Sequence, residues 1–383
     1  MFLPFLGLGL LRKLQLLILA YLTFELNHCA IAHGLQPSDI VKKINVGIIG
    51  YGWAATAHID AINATGMAQV TNVYSSRLLD DDELSARHGG RIKSTVNLKD
   101  IYSDPNIDVI DITSYPYQHA DQVVAAAKAG KHIIVEKPLT LAKRDLNRMT
   151  KAVKQAKVKT CVCFEVRYSA EFLTLKSVID QGLVGKIHYG EVDYYHGVGP
   201  WYGQYRWNVK KEAGGSSLLS AGCHAMDALL YLMGNKDVVE VSSHSTKSKN
   251  RIFQKYEYDT TSVTILKFKD GRLGKVASVI DCLQPYYFHT HLVGSEGSIL
   301  DNKFYSSKMG ALNKNEWSTL ATQLVDSGDV SDHPYQTQFE AFFKALRAGK
   351  EMPHTSLADA ARSHEIIFAA DQSAATGKPV RIK

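Results

Sequence analysis

Short apolar runs alternate with amphipathic segments along the chain from residue 44 to residue 164. Continuous apolar runs of this length are typical of buried strands, whereas apolar residues that recur every three to four positions indicate helices. The predicted strands are Ile44–Gly50, Val70–Tyr74, Asp108–Thr113, His132–Val135 and Thr160–Phe164, and the predicted helices are Ala54–Asn63, Asp80–His88, His119–Ala129 and Leu141–Lys157. This alternation predicts βαβ units and a doubly wound parallel sheet.

After residue 164 the pattern changes, because strands follow one another with few helices between them. Short turns at Asp270-Gly271 and Ser295-Glu296-Gly297 favour antiparallel pairing of the strands on either side. The predicted strands are Val192–Tyr195, Val238–His244, Ser262–Lys269, Leu273–Asp281, Tyr287–Val293 and Ser298–Leu300, and the predicted helices are Leu218–Met233, Gln336–Ala348 and Leu357–Thr376. Segregated strands and helices predict an α+β domain on one large, mostly antiparallel open sheet.

Length and composition agree with two globular domains. The chain has 383 residues, about twice the length of a typical domain, so we predict an α/β Rossmann domain over residues 44–164 and an α+β domain over residues 165–383. Apolar residues make up 45% and charged residues 21%, which excludes a disordered, collagenous or coiled-coil protein. The net charge of +6 is scattered, so nucleic acid is not an expected partner. Five cysteines do not make a disulfide framework in so long a chain, and no metal site is predicted.

The first 43 residues form an apolar leader that is left out of the fold prediction. Arg12 and Lys13 separate two apolar runs, and neither run reaches the roughly 20 residues that span a bilayer. The cations, a short apolar segment and Ala30-Ile31-Ala32 resemble a secretory signal, but a membrane anchor or a non-native extension fits equally well. Membrane contact is expected only through residues 1–24. The catalytic body is expected to be cytoplasmic, or exported or anchored if the leader is a genuine signal.

The turn after the first strand carries the first candidate site. Gly50-Tyr51-Gly52-Trp53-Ala54-Ala55 stands between a predicted strand and a predicted helix. The first glycine allows a tight turn, and the second lets the backbone approach a pyrophosphate. The small Ala55 keeps the helix close to the sheet, and the helix N-terminus favours the anion. This context favours a dinucleotide site over a structural turn, with cofactor contacts from Gly50 to Ala54.

The end of the second strand bears on the choice of cofactor. It reads Val73-Tyr74-Ser75-Ser76-Arg77, whereas an NAD site usually places there a carboxylate that binds the ribose 2′-hydroxyl. Hydroxyls and a guanidinium suit a 2′-phosphate instead. The alternative is a solvated loop, and the carboxylates at Asp80–Asp82 are nearby. We therefore expect Ser75, Ser76 and Arg77 to bind NADP(H) by preference, with NAD(H) also possible.

Two further motifs supply candidate chemistry. Glu136-Lys137-Pro138 follows the strand His132–Val135, so Lys137 is expected at the ligand crevice, where it can pass a proton while hydride moves to or from nicotinamide. Farther along, Asp227 stands three residues after His224 and could orient its imidazole, while Ser220 lies one turn before it. From these stretches alone, a surface Glu-Lys pair and a structural histidine remain credible.

Taken together, five stretches resemble the Gfo/Idh/MocA oxidoreductase family. They are Val46–Ala57, Asp108–His119, Ala129–Pro138, Gly214–Asp227 and Gln338–Val380. The resemblance implies a Rossmann domain followed by an open-sheet domain, an enzyme that oxidises or reduces sugars, cyclitols or polyols with NAD or NADP, and a homo-oligomer formed through the sheet.

The resemblance also assigns roles to single residues. Lys137 and His224 match the family's catalytic lysine and histidine, with Asp227 as a third catalytic candidate. Thr113 and His119 match the segment along the nicotinamide ribose, with Glu136 beside Lys137 as a further cofactor contact. Arg167 matches a position near the substrate. The other expected substrate residues are Trp207, Ser220 and His224. Trp207 belongs to an aromatic stretch that could line a sugar.

One departure keeps other reactions open. The family usually has aspartate four residues before the histidine, where this chain has Ser220, which cannot act as a carboxylate. The leading hypothesis is an NADP-preferring oxidoreductase for a sugar, polyol or keto-sugar. The alternatives are elimination or glycoside cleavage with transient sugar oxidation, and a non-catalytic NADP-binding protein.

Overall fold

A computed structural model describes residues 42–234, 238–326 and 333–382. Its strands are β1 (Ile44–Ile49), β2 (Ala68–Tyr74), β3 (Lys93–Thr95), β4 (Val109–Ile112), β5 (His132–Val135), β6 (Thr160–Val162), β7 (Ile187–Tyr195), β8 (Val238–Thr246), β9 (Thr261–Phe268), β10 (Leu273–Val279), β11 (Tyr287–Gly294), β12 (Gly297–Leu300), β13 (Lys303–Ser306), β14 (Ser318–Thr319) and β15 (Val380–Arg381). Its α-helices are α1 (Trp53–Ala64), α2 (Asp81–His88), α3 (Leu98–Tyr102), α4 (Pro116–Lys128), α5 (Lys143–Ala156), α6 (Ala170–Asp180), α7 (Tyr205–Asn208), α8 (Lys211–Gly214), α9 (Cys223–Met233), α10 (Tyr335–Arg347) and α11 (Leu357–Thr376).

The first sheet is the predicted doubly wound parallel sheet. Its six described strands follow the order β3-β2-β1-β4-β5-β6, and every neighbouring pair is parallel. The order reverses between β1 and β4, and open sheets of this kind bind ligands at that reversal, beyond the carboxyl ends of the strands. The strands are short apolar segments, and both faces are buried because helices cover them.

The second sheet is large and mixed. Its nine described strands follow the order β14-β13-β12-β11-β7-β10-β9-β8-β15, and all pairs are antiparallel except β7 with β10. The turns at residues 270–271 and 295–296 join β9 to β10 and β11 to β12 as antiparallel neighbours, as the sequence predicts. Helices α9 and α11 cover one face of this sheet, where alternate strand residues are buried.

Helix α10 returns from the second half of the chain to the first sheet. Its residues Phe339, Phe342 and Phe343 are fully buried in one cluster with Ile59 and Ile62 of α1. Arg347, in the last turn of α10, donates to the carbonyl oxygen of Met67, 3.0 Å away. The Rossmann half therefore contains a helix that comes from beyond residue 330.

Several elements are absent from the sequence prediction. Strand β3, helix α6 and the edge strands β13, β14 and β15 carry no strong periodic pattern. The predicted helix Leu218–Met233 divides into a π-helical turn over Leu218–Gly222 and helix α9. The predictions for residues 1–41 lie outside the described residues, and no helix within the described residues is long and apolar enough to cross a membrane.

Candidate active site

A cavity of about 650 Å³ opens beyond the carboxyl ends of β1, β2, β4 and β5. Residues from both halves of the chain line it. They are Gly50–Ala54, Tyr74–Ser76, Leu98, Thr113–Pro116, Gln118, Gln122, Glu136, Lys137, Gly203, Gln204, Arg206 and Trp207. The cavity is large enough to hold a ligand of cofactor size. It therefore collects the glycine turn, the end of β2 and Lys137 at one place.

The glycine turn is shaped as a phosphate-binding turn requires. Gly50 has a φ of 108°, and a Cβ at this residue would lie 3.0 Å from the backbone carbon of Thr113. At Gly52 an added Cβ would meet no atom within 4 Å, so the space in front of the helix N-terminus is open. Ala55, in the first turn of α1, is fully buried. The turn can therefore bring backbone N–H groups close to a pyrophosphate.

The residues after β2 divide between two neighbouring cavities. Ser75 and Ser76 line the main cavity, whereas Arg77 lines an adjoining space of about 190 Å³. Asp80 borders that space, but its carboxylate is the N-cap of α2 and accepts a hydrogen bond from the backbone N–H of Glu83, 2.8 Å away. No carboxylate thus stands at the strand end itself, where Ser75 is buried and its hydroxyl accepts a hydrogen bond from the backbone N–H of Arg77.

Thr113 and His119 have different surroundings. Thr113 lines the cavity and donates its hydroxyl to the carbonyl oxygen of Gly50, 3.3 Å away, so it ties the end of β4 to the glycine turn. His119 is wholly buried, and its ring nitrogens face the carbonyl oxygens of Pro138 and Ser114 at 2.9 and 3.0 Å. The imidazole of His119 thus joins the loop after β4 to the loop after β5, and its contact with the cofactor stays a prediction.

A buried ionic network supports Glu136. His58 of α1 lies between two carboxylates, with Nδ1 2.9 Å from Asp111 and Nε2 2.9 Å from Glu136. Burial alone would lower the pKa of His58, but Asp111 and Glu136 raise it to about 10, so the imidazole is charged. Tyr335 of α10 donates its hydroxyl to the same Glu136 oxygen at 2.9 Å. Burial alone would raise the pKa of Glu136, and the interactions with His58 lower it to about 2.

Among the residues that the structure describes, two groups of donor atoms lie close enough together to hold a metal ion. They are His58, Glu136 and Cys163, and Glu191, His289 and His291. In the first group both ring nitrogens of His58 already bond carboxylates. In the second, the Lys275 ammonium lies 2.6 Å from the Glu191 carboxylate and occupies the place of a cation.

Lys137 lies in the main cavity as an ammonium ion. Burial alone would lower its pKa, but the carboxylates of Glu136 and Glu165 oppose that effect, and the pKa lies above its usual value. The preceding Glu136 also fixes the local backbone, because its carboxylate accepts the N–H of Lys137 at 3.0 Å. Lys137 is therefore placed to donate a proton to an oxygen atom in the cavity.

His224 lies close to a carboxylate, but that carboxylate is Glu165. The His224 Nε2 atom is 3.8 Å from Glu165 Oε1, and Nδ1 has no hydrogen-bond partner. Burial and the charge of Lys137 hold the pKa of His224 well below its usual value, so the imidazole is neutral. A neutral imidazole beside a carboxylate can accept a proton.

Asp227 makes a different ion pair from the one predicted. Its carboxylate binds the Arg167 guanidinium through two hydrogen bonds, at 2.5 and 2.6 Å, and accepts a third from the hydroxyl of Ser363. The prediction that Asp227 orients His224 is therefore wrong, because Arg167 and Ser363 take both carboxylate oxygens.

The same pair accounts for Arg167. Its guanidinium is buried, lies 5.1 Å from the centre of the Tyr231 ring and also donates to the carbonyl oxygen of His354. Asp227 and the His354 carbonyl engage three of its N–H groups, and its contact with substrate stays a prediction.

The remaining predicted substrate residues also differ in placement. Trp207 lines the main cavity, with its ring 5.7 Å from that of Tyr115. Ser220 is buried in the π-helical turn near Tyr258, and its hydroxyl makes no hydrogen bond of normal geometry. The structure thus brings Trp207 and Lys137 together in the main cavity, whereas Ser220 and His224 are buried and do not line it.

Comparison with protein-family models shows which family has this fold and this site. Residues 44–164 match the model described as "Oxidoreductase family, NAD-binding Rossmann fold", and residues 172–300 match the "GFO/IDH/MocA C-terminal domain". The chain belongs to the Gfo/Idh/MocA family. The predicted resemblance and the predicted fold class are both confirmed by these matches.

Relatives of this Gfo/Idh/MocA protein include an enzyme with NADP(+) in its name, and structural neighbours include one solved with NADH. Myo-inositol 2-dehydrogenase of Thermotoga maritima is 25% identical over 89% of this chain and 99% of its own length. scyllo-Inositol 2-dehydrogenase (NADP(+)) IolW of Bacillus subtilis is 28% identical over 51% of this chain and 53% of its own. A solved structure of levoglucosan dehydrogenase with NADH and levoglucosan has the same fold, with a TM-score of 0.76, 24% identity and coverage of 89% of this chain and 99% of that one.

The sequence analysis missed several residues that lie around the site of this Gfo/Idh/MocA protein. They are His58, Asp111, Glu165, His333 and Tyr335. A charged residue inside an otherwise apolar strand, as in Val109-Ile110-Asp111-Ile112, is a usable signal for Asp111. Glu165 has no such pattern around it. The structure also places Trp53 of the glycine turn against Tyr202 and His333, at ring distances of 5.7 and 6.4 Å.

Proposed function

We propose that this protein transfers hydride between a nicotinamide cofactor and a sugar, polyol or keto-sugar, with NADP preferred over NAD. The observation that carries the proposal is one cavity that contains the glycine turn and Lys137. His224 is buried close enough to Lys137 for the lysine's charge to lower its pKa. The names of the relatives, which include inositol and anhydrosugar enzymes, support this substrate class.

The residues of the cavity fit a dinucleotide. The open space at Gly52 and the helix N-terminus accommodate a pyrophosphate, and Thr113 borders the path toward Lys137. A bound nicotinamide would supply the hydride acceptor or donor. Arg77, in the smaller cavity beside Tyr51, supports recognition of a 2′-phosphate.

The chain's own residues then handle the substrate oxygen. During reduction, the Lys137 ammonium donates a proton to the carbonyl oxygen as it becomes a hydroxyl. During oxidation, a neutral base must accept the hydroxyl proton, and His224 is the neutral imidazole close to Lys137. Trp207 and Tyr115 offer aromatic faces to the C–H groups of a sugar.

We also propose that residues 44–164 and 165–383 act as cofactor and substrate domains, and that the protein is a homo-oligomer. The uncovered face of the second sheet supports assembly, because Val263 and Ile265 of β9 and Leu273 of β10 are each more than 40% exposed there. A chain that pairs this face with a copy of itself would bury these apolar side chains.

The test is the change in nicotinamide absorbance with a panel of sugars, polyols and keto-sugars. We expect turnover by the unmodified protein and a loss of about 10²–10⁴-fold in Lys137→Met, the range typical of a lost acid–base group. Lys143→Met, at an exposed position on α5, is the control and should retain full turnover. Equal turnover in Lys137→Met and the control would contradict the role of Lys137. Product formed without a stoichiometric absorbance change would contradict net hydride transfer.

A further inference from the structure

Glu165 is a buried carboxylate that the proposed function leaves without a role. It lies just after β6 and is fully buried, and neither of its oxygen atoms has a hydrogen bond in the structure. A buried carboxylate without such partners costs free energy, so the fold gains no stability from it. Unsatisfied polar groups of this kind are concentrated at functional sites.

The surroundings of Glu165 place it beside the proton-handling residues. Its Oε1 atom lies 3.8 Å from Nε2 of His224 and 3.7 Å from Nε2 of His333. Its charge also acts on Lys137, whose pKa it helps to raise. Glu165 is also among the residues that line a third cavity, of about 330 Å³.

We propose that Glu165 positions His224 and balances the positive charge that the imidazole acquires when it takes up, by way of Lys137, the proton of the substrate hydroxyl. This inference rests on the proposed function. It assigns to Glu165 the role for which the sequence favours Asp227, whose carboxylate is held by Arg167. Glu165 also supplies a carboxylate to a site in which Ser220 cannot provide one.

The proton transfer can be written completely. During oxidation a bound, oxidised nicotinamide would accept the hydrogen of the C–H bond together with its electron pair, as hydride. The electron pair of the O–H bond would then form the C=O bond. Lys137 takes the hydroxyl proton while it passes one of its own ammonium protons to Nδ1 of His224, the nitrogen that has no other partner. The imidazolium then faces the Glu165 carboxylate through Nε2, and the proton returns by the same path during reduction.

Several ionisable groups face Glu165, and they determine its protonation. Burial and Glu136 oppose the carboxylate, whereas Lys137 and His58 favour it, and the rings of His224 and His333 also face it. The surrounding Tyr202, Tyr335, Cys163 and Cys223 stay uncharged, because burial raises the pKa of each. Burial is the largest effect and raises the pKa of Glu165 to about 8.

The raised pKa gives two distinct expectations. Because the carboxylate supports proton uptake by His224, oxidation should accelerate as the pH rises through about 8. Because the folded protein favours the protonated form, stability is greatest at low pH and falls as the pH rises through about 8. As the pH rises through about 8, ionisation of Glu165 should therefore raise the rate of oxidation and lower the stability of the fold.

The experiment compares Glu165→Gln with Glu171→Gln. Glu171 is also a fully buried carboxylate, with its pKa raised by burial to about 7, but its partner is the backbone N–H of Val325. We expect Glu165→Gln to lower kcat/KM for oxidation by about 10²-fold or more and to abolish the rise near pH 8. Glu165→Asp, which keeps the charge, should restore part of the rate, and Glu171→Gln should leave the pH profile unchanged.

Thermal unfolding provides an arm that does not depend on turnover. The Tm of Glu165→Gln should equal or exceed that of the unmodified protein at pH 6 and exceed it by more at pH 9. A lower Tm at both pH values, or a pH profile that keeps its rise, would show a structural residue and overturn the inference. Failure of the unmodified protein to turn over any substrate would overturn the proposed function instead, and the thermal comparison would still decide whether Glu165 is an unpaired, titrating carboxylate.

Discussion

Arg77 is the residue on which the cofactor preference depends. Its side chain borders the small cavity beside the glycine turn, and the nearby Asp80 carboxylate is engaged as the cap of α2. A carboxylate that caps a helix is less available to accept a ribose hydroxyl. The guanidinium is therefore the group at this position best suited to a 2′-phosphate.

We expect Arg77→Ala to weaken NADPH binding by about 10–150-fold, because a charge-assisted contact contributes roughly 1.5–3 kcal/mol. NADH lacks the 2′-phosphate, so its Kd should scarcely change. Fluorescence titration of both cofactors measures the two constants, with Arg144→Ala, at an exposed position on α5, as a control. Equal losses for both cofactors, or no loss for either, would contradict the NADP preference.

Single-residue contacts were harder to predict than the motifs that contain them. The sequence places Asp227 one turn from His224, but Arg167, 60 residues earlier, captures its carboxylate. The same holds for His119, whose ring bonds the carbonyl of Pro138, 19 residues away. Local spacing defines which residues share a helix face, whereas these partners come from other elements.

Four elements meet at the imidazole of His58. It belongs to α1 and bonds Asp111 of β4 and Glu136 after β5, and Glu136 in turn accepts the hydroxyl of Tyr335 from α10. The two carboxylates and the imidazolium are desolvated together. Removing the cation would leave two buried anions without their partner, which is more costly than losing an exposed ion pair.

We expect His58→Gln to reduce the free energy of unfolding by about 3–5 kcal/mol near neutral pH. The pKa of about 10 in the folded protein lies above the usual histidine value of 6.5, so this stabilisation is complete below pH 6.5 and is lost as the pH rises through about 10. Denaturant unfolding from pH 6 to 10.5 measures the free energy of unfolding of both proteins. The difference between His58→Gln and the unmodified protein should become smaller as the pH rises. His188→Gln, at an exposed histidine, is the control. A constant difference at every pH would contradict a charged His58.

The sequence predicts elements well where one pattern dominates. Strand β5 and helix α11 have the predicted bounds, since each has strong apolar periodicity and a clear turn after it. Strand β7 extends five residues before its predicted start at Val192, because Ile187–Glu191 alternate weakly and depend on neighbours in the sheet. Strand β3 is three residues long and offers too little sequence for any periodicity.

At the scale of the whole molecule, the second sheet presents one uncovered face. Along β9 the outward residues alternate with buried ones, and Val263 and Ile265 are 41% and 42% exposed. Lys275 of β10 stands opposite Ile265 and pairs with Glu191 and Asp193 of β7. Apolar and charged side chains are thus combined on a surface that is open to another chain.

We expect Ile265→Glu to reduce the molar mass of the protein in solution, because a carboxylate at this position would be buried in the proposed sheet-to-sheet contact. Size-exclusion chromatography with light scattering measures the mass, and the Tm should stay within a few degrees because the side chain is exposed in the single chain. Lys151→Glu, at an exposed position on α5, is a control for added charge. An unmodified protein that is monomeric at working concentration would contradict assembly.

The fold class follows from the sequence because it depends on patterns that repeat over many residues. The alternation before residue 164 predicts the parallel sheet, and the short turns predict the antiparallel pairs of the second sheet. The return of α10 to the first half is not predictable in this way. Its apolar face is visible in the sequence, but nothing local specifies that Phe339 and Phe343 pack against α1.

That return has a consequence for how such a protein can be recombined. A gene fusion that exchanged residues 44–164 for the matching stretch of a relative would bring in a new α1 and leave α10 behind. The foreign helix would then face Phe339, Phe342 and Phe343, which evolved against Ile59 and Ile62. A viable chimera must therefore transplant two separate stretches of gene, and crossover points chosen by linear domain boundaries alone would yield mismatched cores.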